Sequence, residues 1–161
     1  MYLIDKTYFR NKLQINGLYD GNNGLETKLD DYISIYVIDF LQKLLGVDFE
    51  ELKANITDGV LDTGAPQKWL DLINGKTYTK DGKTYIWKGL LYQNGSVKLS
   101  ILANVVYCNL IHDLVTGNGQ ISVDVKSSRM LLPRKNYIEV WNEIANQFNQ
   151  SVDLQPKISF I

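Results

Sequence analysis

The chain reads as a mainly α protein, a small helical bundle around a central helix at about residues 97–115, with a β-hairpin at about 77–86 and extended loop or arm segments. Three observations predict this. Residues 97–115, VKLSILANVVYCNLIHDLV, are apolar on both flanks at helical spacing and so need neighbours on both sides. Two further stretches, near 30–45 and 137–148, repeat apolar residues at the spacing of a single helix face. Asp81-Gly82 stands between two runs of alternating residues and demands a tight type I′ turn.

Within the central stretch, Lys98, Asn109, His112 and Asp113 fall along one side of a helical wheel, with Ser100 and Asn104 nearly opposite. β-branched residues lower its intrinsic propensity, so burial must hold it helical. At 1.5 Å per residue it would run about 28 Å, enough to cross a small domain. It is too interrupted by Ser100, Asn104 and Asn109 to be a membrane span. Asn94 and Ser96 are the candidate N-caps.

Taken in order, residues 1–15 mix apolar and charged side chains, with a short helix expected around 6–12. Residues 16–24, NGLYDGNNG, are expected to form a flexible exposed loop; a single carboxylate, Asp20, excludes a calcium loop. A helix follows from 28 or 30 to 45, with Thr27 and Asp30 as a variant capping box and Gly46 as its stop. Its apolar face is Ile33, Tyr36, Val37, Phe40, Leu41 and Leu44. Asp48 with Glu51 restarts a short helix carrying Phe49, Leu52 and Ile56. Residues 58–66, DGVLDTGAP, form a turn-rich connection, and Pro66 opens a short helix that Asn74-Gly75 closes.

In the hairpin, a two-residue Asp81-Gly82 loop sets Lys80 opposite Lys83, Thr79 opposite Thr84, Tyr78 opposite Tyr85 and Lys76 opposite Trp87. The tyrosine pair favours this register and the lysine pair opposes it. After the central helix, TGNG is a firm stop. Residues 120–126 then alternate Ile121, Val123 and Val125 with polar residues, as a half-buried strand or extended arm does. Pro133 opens the last helix, with Tyr137, Trp141, Ile144 and Phe148 on one face. The organisation expected is a single mostly helical domain over 1–150 and a C-terminal tail, 151–161, whose Ile158 and Phe160 return to the body or dock on a partner.

Composition narrows the function classes. Hydrophobic residues make up 45% and charged residues 22% of the 161, and the net charge is -1, so no global field draws nucleic acid or an anionic membrane. One cysteine excludes an internal disulfide and a thiolate metal cage; Cys108, among apolar residues, is expected to be buried and structural. The opening residues offer no long apolar run of a signal peptide, so a non-secreted product is expected. The 10 tyrosines and 3 tryptophans supply amphipathic contact area suited to wet protein–protein contacts as well as cores.

Acid–base chemistry is thinly represented. His112 is the single histidine, and neighbouring Asp113 is expected to point about 100° away around the helix rather than form a dyad with it. Cys108 and His112 are spaced i, i+4, but a third member and oxyanion donors would have to come from elsewhere. Asp20, Asp30, Asp31, Asp39, Glu50, Glu51, Asp58 and Asp62 mostly fall in loops and helix starts, where capping accounts for them. Gly21 and Gly24 belong to neither a Walker loop nor a dinucleotide fingerprint. No enzyme, cofactor or metal site is expected. Lys76, Lys80, Lys83 and Lys88 with Tyr78, Tyr85 and Trp87 are the best basic–aromatic cluster. Stacking on single-stranded nucleic acid or a glycan is the alternative use for it; protein contact is preferred because no basic groove accompanies it.

Four segments carry a resemblance: DDYISIYVIDFLQKLLG, WLDLINGKTYTKDGKTYIWKGL, KLSILANVVYCNLIHDLVTGNG and PRKNYIEVWNEIANQF, which together cover most of 30–148. The layout resembles the head–tail connector (adaptor) proteins of tailed bacteriophages, particularly ring proteins of phages infecting Bacteroidetes-type hosts. The resemblance implies a virion structural protein of the neck, assembled in the host cytoplasm as a homo-oligomeric ring, commonly of twelve copies. It would sit between the portal and the adjacent tail or neck proteins. It implies interface roles for Ile121, Val123 and Val125, then for Tyr78, Tyr85 and Trp87 in the hairpin and Ile158 and Phe160 in the tail. It supplies no catalytic residue. The Asp81-Gly82 hairpin is longer than in the simplest connectors, a departure from a plain four-helix picture.

Overall fold

Two long helices, α1 (Asn23–Leu45) and α4 (Ile101–Thr116), pack against one another and hold the core of a mainly helical fold. The computed structural model describes residues 2–21, 23–94, 97–98, 100–116, 138 and 142. The arm expected at 120–126, with Ile121, Val123 and Val125, and the tail with Ile158 and Phe160 lie outside the described residues. So does the last helix, apart from Ile138 and Asn142, which are helical and exposed.

Along α1, Leu25, Leu29, Ile33, Val37 and Leu41 form an i, i+4 stripe that is fully or almost fully buried. The helix starts earlier than its expected capping box at Thr27. The stripe continues backward to Leu25, and burying that turn favours helix through Gly24. Glu26 lies in the first turn, at the positive end of the helix dipole, and pairs with Lys6 at 3.1 Å. Leu44, expected on the apolar face, is exposed instead. Gly46 then turns the chain with φ +56° into a 3-10 turn, Gly46–Asp48.

The short α2 (Phe49–Ala54) buries Phe49 and Leu52, while Asp48 makes no side-chain capping bond. Ile56, expected in this helix, opens a strand. β1 (Ile56–Thr57) and β2 (Val60–Leu61) form a hairpin around Asp58 and Gly59, both at positive φ. α3 (Gln67–Asn74) follows Pro66 and buries Trp69 and Ile73. β3 (Lys76–Lys80) and β4 (Lys83–Trp87) pair in the register expected from Asp81-Gly82. A short ladder, β5 (Gln93–Asn94) with β6 (Val97–Lys98), precedes α4.

The central helix begins at Ile101, later than expected, because residues 97–98 are committed to β6 and Ser100 is the cap. The Ser100 hydroxyl accepts from the amides of Leu102 at 3.1 Å and Ala103 at 3.4 Å. It also donates to the Leu90 carbonyl at 2.9 Å, so a fully buried polar group is satisfied on both sides. Beyond it Ile101, Leu102, Ala103, Val106 and Leu110 are buried, as the two-flank apolar pattern requires. Asn104, also buried, returns its side-chain amide to the Ser100 carbonyl at 2.8 Å.

The first residues contribute more to this core than their pattern suggested. Two 3-10 turns, Lys6–Tyr8 and Asn11–Leu13, replace the expected short helix, the first packing on α1 and the second on α4. Phe9 and Leu18 are completely buried, and Leu13 and Ile15 nearly so. Each such side chain is worth about 1.5–3 kcal/mol relative to exposure. The loop expected to be flexible and exposed is therefore pinned through Leu18.

Ser100→Ala removes a cap and leaves the Leu90 carbonyl buried without its partner. Urea denaturation should register a loss of about 2 kcal/mol or more; an unchanged midpoint would contradict this role for the hydroxyl.

Candidate functional site

The β3–β4 hairpin leaves α3 and returns to the body across one narrow junction. Gly75 (φ +94°) and Gly89 (φ +82°) lie back to back there. A Cβ on Gly75 would sit 2.5 Å from the Trp87 carbonyl oxygen, and one on Gly89 2.5 Å from the Gly75 nitrogen and the Ile73 carbonyl oxygen. Only glycine allows both the left-handed backbone and the close approach. The returning strand is then fixed by hydrogen bonds donated by the Leu90 amide to the Leu72 carbonyl at 3.1 Å and by the Leu91 amide to the Ile73 carbonyl at 3.0 Å.

Side chains reinforce the base. The Trp87 indole N–H donates to the Leu72 carbonyl at 3.2 Å. The Lys76 ammonium meets Asp71 Oδ2 at 2.5 Å, and Gln67 donates to Asp71 Oδ1 at 2.6 Å. Lys76, seconded by Gln67, holds the Asp71 carboxyl below the usual carboxylate range. Beyond this base the ribbon pairs with itself and packs only weakly on other described elements. Tyr78 and Tyr85 stack with ring centres 5.5 Å apart and planes 26° apart. Lys76, Lys80, Lys83 and Trp87 share the tyrosines' face by register; Thr77, Thr79, Thr84 and Ile86 occupy the opposite face, and all four are exposed.

Tyr78, Tyr85 and Trp87 are thus brought together on one ribbon, as the register predicted, but Trp87 is bound into the base while the tyrosines cover each other. Lys88 is separate from them and lies over the Tyr92 ring at 4.8 Å. Lys80 and Lys83 face each other at the tip and make no ion pair among the described residues.

A second polar grouping was missed in the sequence. Tyr32 on α1 donates its hydroxyl to Asp113 Oδ2 on α4, and His112 Nδ1 lies 3.3 Å from Asp113 Oδ1. The expectation that His112 and Asp113 do not meet is corrected. Adjacent helix positions diverge at Cβ, yet an imidazole and a carboxylate can bend toward each other beyond it. The Tyr32 hydrogen bond holds the Asp113 carboxyl down against an opposing push from burial, with His112 and Lys28 assisting. Burial, followed by the Asp113 bond and charge, drives the Tyr32 phenol strongly upward. The group joins α1 to α4, and its fit is that of an interhelical tie. Cys108, expected to be buried, is half-buried.

A cleft of about 370 Å³ lies between the N-terminal segment, the β1–β2 turn and the end of α3. Its floor includes Leu3, Leu61 and Ile73, and at its edge the Lys98 ammonium sits 4.4 Å from the Tyr8 ring centre. Burial pushes the Asp5 carboxyl up, but the Thr7 hydroxyl and amide, with Lys98 and Lys6, outweigh it and hold it low. These groups satisfy one another. Among the described residues no set of three His, Cys, Asp or Glu side chains is arranged to hold a metal ion, and no helix is long and apolar enough to cross a membrane.

No family model, curated protein or solved structure matches the chain.

Two consequences are measurable. Gly89→Ala forces a Cβ into backbone atoms at positive φ, which should lower stability by about 2–3 kcal/mol; a neutral effect in urea denaturation would mean that the crossing is loose. Tyr32→Phe should raise the Asp113 carboxyl pKa, followed by carboxyl NMR. A depressed folded-state pKa contributes stability that is present above the unfolded value of about 4 and lost as pH falls through the folded one. The stability gap between wild type and Tyr32→Phe should therefore be widest near neutrality and shrink in acid.

Proposed function

We propose that this chain is a structural virion protein, one subunit of a ring joining the portal to the tail of a tailed bacteriophage. In this reading it is not an enzyme. It acts at the head–tail junction as a homo-oligomer, after assembly in the host cytoplasm, and meets the portal and the adjacent tail or neck proteins.

The observation that carries the reading is a ribbon bonded to the body at its root and, among the described residues, left uncovered beyond it. An isolated two-stranded ribbon is marginal in water, yet this one keeps a full five-pair register while four side chains of one face remain exposed. Such an element suits a body whose work is contact with other chains. The resemblance of the α1, α3–β4 and α4 segments to phage connectors gives that contact its setting. Ring closure lets each subunit bridge two neighbours, so individually modest contacts suffice.

The competing use of the hairpin, stacking on a glycan or single-stranded nucleic acid, needs rings with accessible faces. The mutual Tyr78–Tyr85 stack and the Trp87 anchor to Leu72 favour a framework role for them instead.

Sedimentation of the purified chain, followed by negative-stain imaging with a purified portal, tests the proposal. Annular particles that bind the portal end are expected, whereas a chain that stays monomeric with no portal affinity would overturn it. Tryptophan fluorescence titrations with oligonucleotides and glycans, with Trp87→Phe as control, should show no saturable change.

A further inference from the structure

The near-zero net charge conceals two oppositely charged, sequence-local units. Residues 76–88 hold four lysines against one aspartate. Residues 47–62, comprising the 3-10 turn, α2 and the β1–β2 hairpin, hold five carboxylates (Asp48, Glu50, Glu51, Asp58, Asp62) against Lys53. Both units leave charge unmatched. At the hairpin tip Lys80 opposes Lys83, an arrangement that opposes pairing in the isolated chain. In the acidic unit, Asp48 and Asp58 are exposed and make no ion pair among the described residues, and Glu50 has only Lys53, at 3.6 Å.

Each unit also displays apolar surface. Ile86 is 58% exposed on the hairpin; Val60 is 68% and Val47 94% exposed in the acidic unit. A single exposed valine is ordinary. Ile86 lies on the ribbon face opposite Lys80 and Lys83, so the complementarity between the two units is one of charge.

From this complementarity we infer that the β3–β4 hairpin of one copy docks, by its Lys80–Lys83 tip, on the exposed carboxylates Asp48 and Glu50 of a second copy. The two surfaces differ, so the contact is heterologous: each molecule gives its hairpin to one neighbour and receives a hairpin from the other. Contacts of this kind propagate into a closed ring or an open filament according to the rotation between copies. The carboxylates of the neighbour relieve the repulsion between the two lysines, so the tip is better satisfied in the assembly than alone. The inference rests on the assembly reading above and assigns its self-contact, leaving the portal contact to other surfaces.

The test is a charge exchange in the full chain. Lys80→Glu with Lys83→Glu makes one variant; Asp48→Lys with Glu50→Lys makes the other. All four side chains are exposed, and circular dichroism is to check the fold of each variant. Wild type should self-associate by sedimentation equilibrium, more weakly at high than at low salt. Either variant alone should associate at least tenfold more weakly, because its tip then repels its own acidic unit. An equimolar mixture should recover association, since each variant's tip now faces the opposite charge on the other. Recovery only in the mixture supports the inference. A monomeric wild type, undiminished association of either variant, or no recovery on mixing overturns it. If wild type instead binds an oligonucleotide through Lys80 and Lys83 and does not self-associate, the hairpin is a nucleic-acid contact. Portal binding is scored separately, so a wild type that assembles through the hairpin and ignores the portal defeats the connector reading alone.

Discussion

The arrangement of this molecule depends on one junction, where α3 stops, the hairpin leaves and returns, and α4 begins. Gly75 and Gly89 let two backbone segments pass at a distance no other residue type tolerates. The strand leaving that crossing satisfies the last turns of α3 through the Leu90 and Leu91 amides. Ten residues on, Ser100 turns the Leu90 carbonyl into a fixed point for the start of α4. Losing the Leu91 amide or the Ser100 hydroxyl leaves a carbonyl of this junction without its partner, and such groups are costly when buried. The orientation of the projecting ribbon relative to the long helices is thus set by backbone geometry and a buried hydroxyl, while its exposed side chains are left to vary in service of contact.

Short-range rules were the most legible part of the sequence. Asp81-Gly82 specified a loop of two residues, and from that the whole β3–β4 register follows, including the stacked tyrosines and the opposed lysines. The same dipeptide at Asp58-Gly59 makes the same turn, but its strands have two residues each, too few for an alternating pattern to register. Burial of α4 on both flanks was legible because apolar residues dominate the whole wheel. Its starting point was not, because Ser100 becomes the cap only through the distant Leu90 carbonyl, a tertiary bond that no local pattern reports. The core role of the N-terminal segment was not legible for a related reason. Its core residues, Phe9, Leu13, Ile15 and Leu18, follow neither helical nor strand spacing, since 3-10 turns and loops carry them.

The polar groupings illustrate a similar division. A wheel separates His112 from Asp113, and Cβ positions are all a wheel describes. The meeting of the two depends on side-chain torsions, and those are fixed by Tyr32 arriving from α1. With its carboxylate drawn on from two sides, Asp113 acts as a knot between the helices. Lys98 does comparable work at the other end of the molecule, lying over Tyr8 and donating to the Thr7 hydroxyl beside Asp5. In both places ionisable side chains are occupied by neighbours that stitch distant chain segments together, and a chemistry for them would have to compete with that structural use.

Ion pairs on the body include Lys6 to Glu26, Lys68 to Glu51 and Lys76 to Asp71. Surface pairs of this kind are each worth at most about 1 kcal/mol, so pairing alone does not account for the fold. Its pattern is more informative than its energy. Lysines near the root of the hairpin are engaged, and those at its tip oppose each other across the ribbon. A two-stranded element selected for its own stability would place opposite charges at that position. Retaining two lysines there weakens the isolated ribbon and strengthens any contact with a carboxylate-bearing surface, and the same chain carries such a surface around α2. The local defect and the distant acidic unit are most simply explained together, as the two halves of one contact that a single copy of the chain leaves unmade.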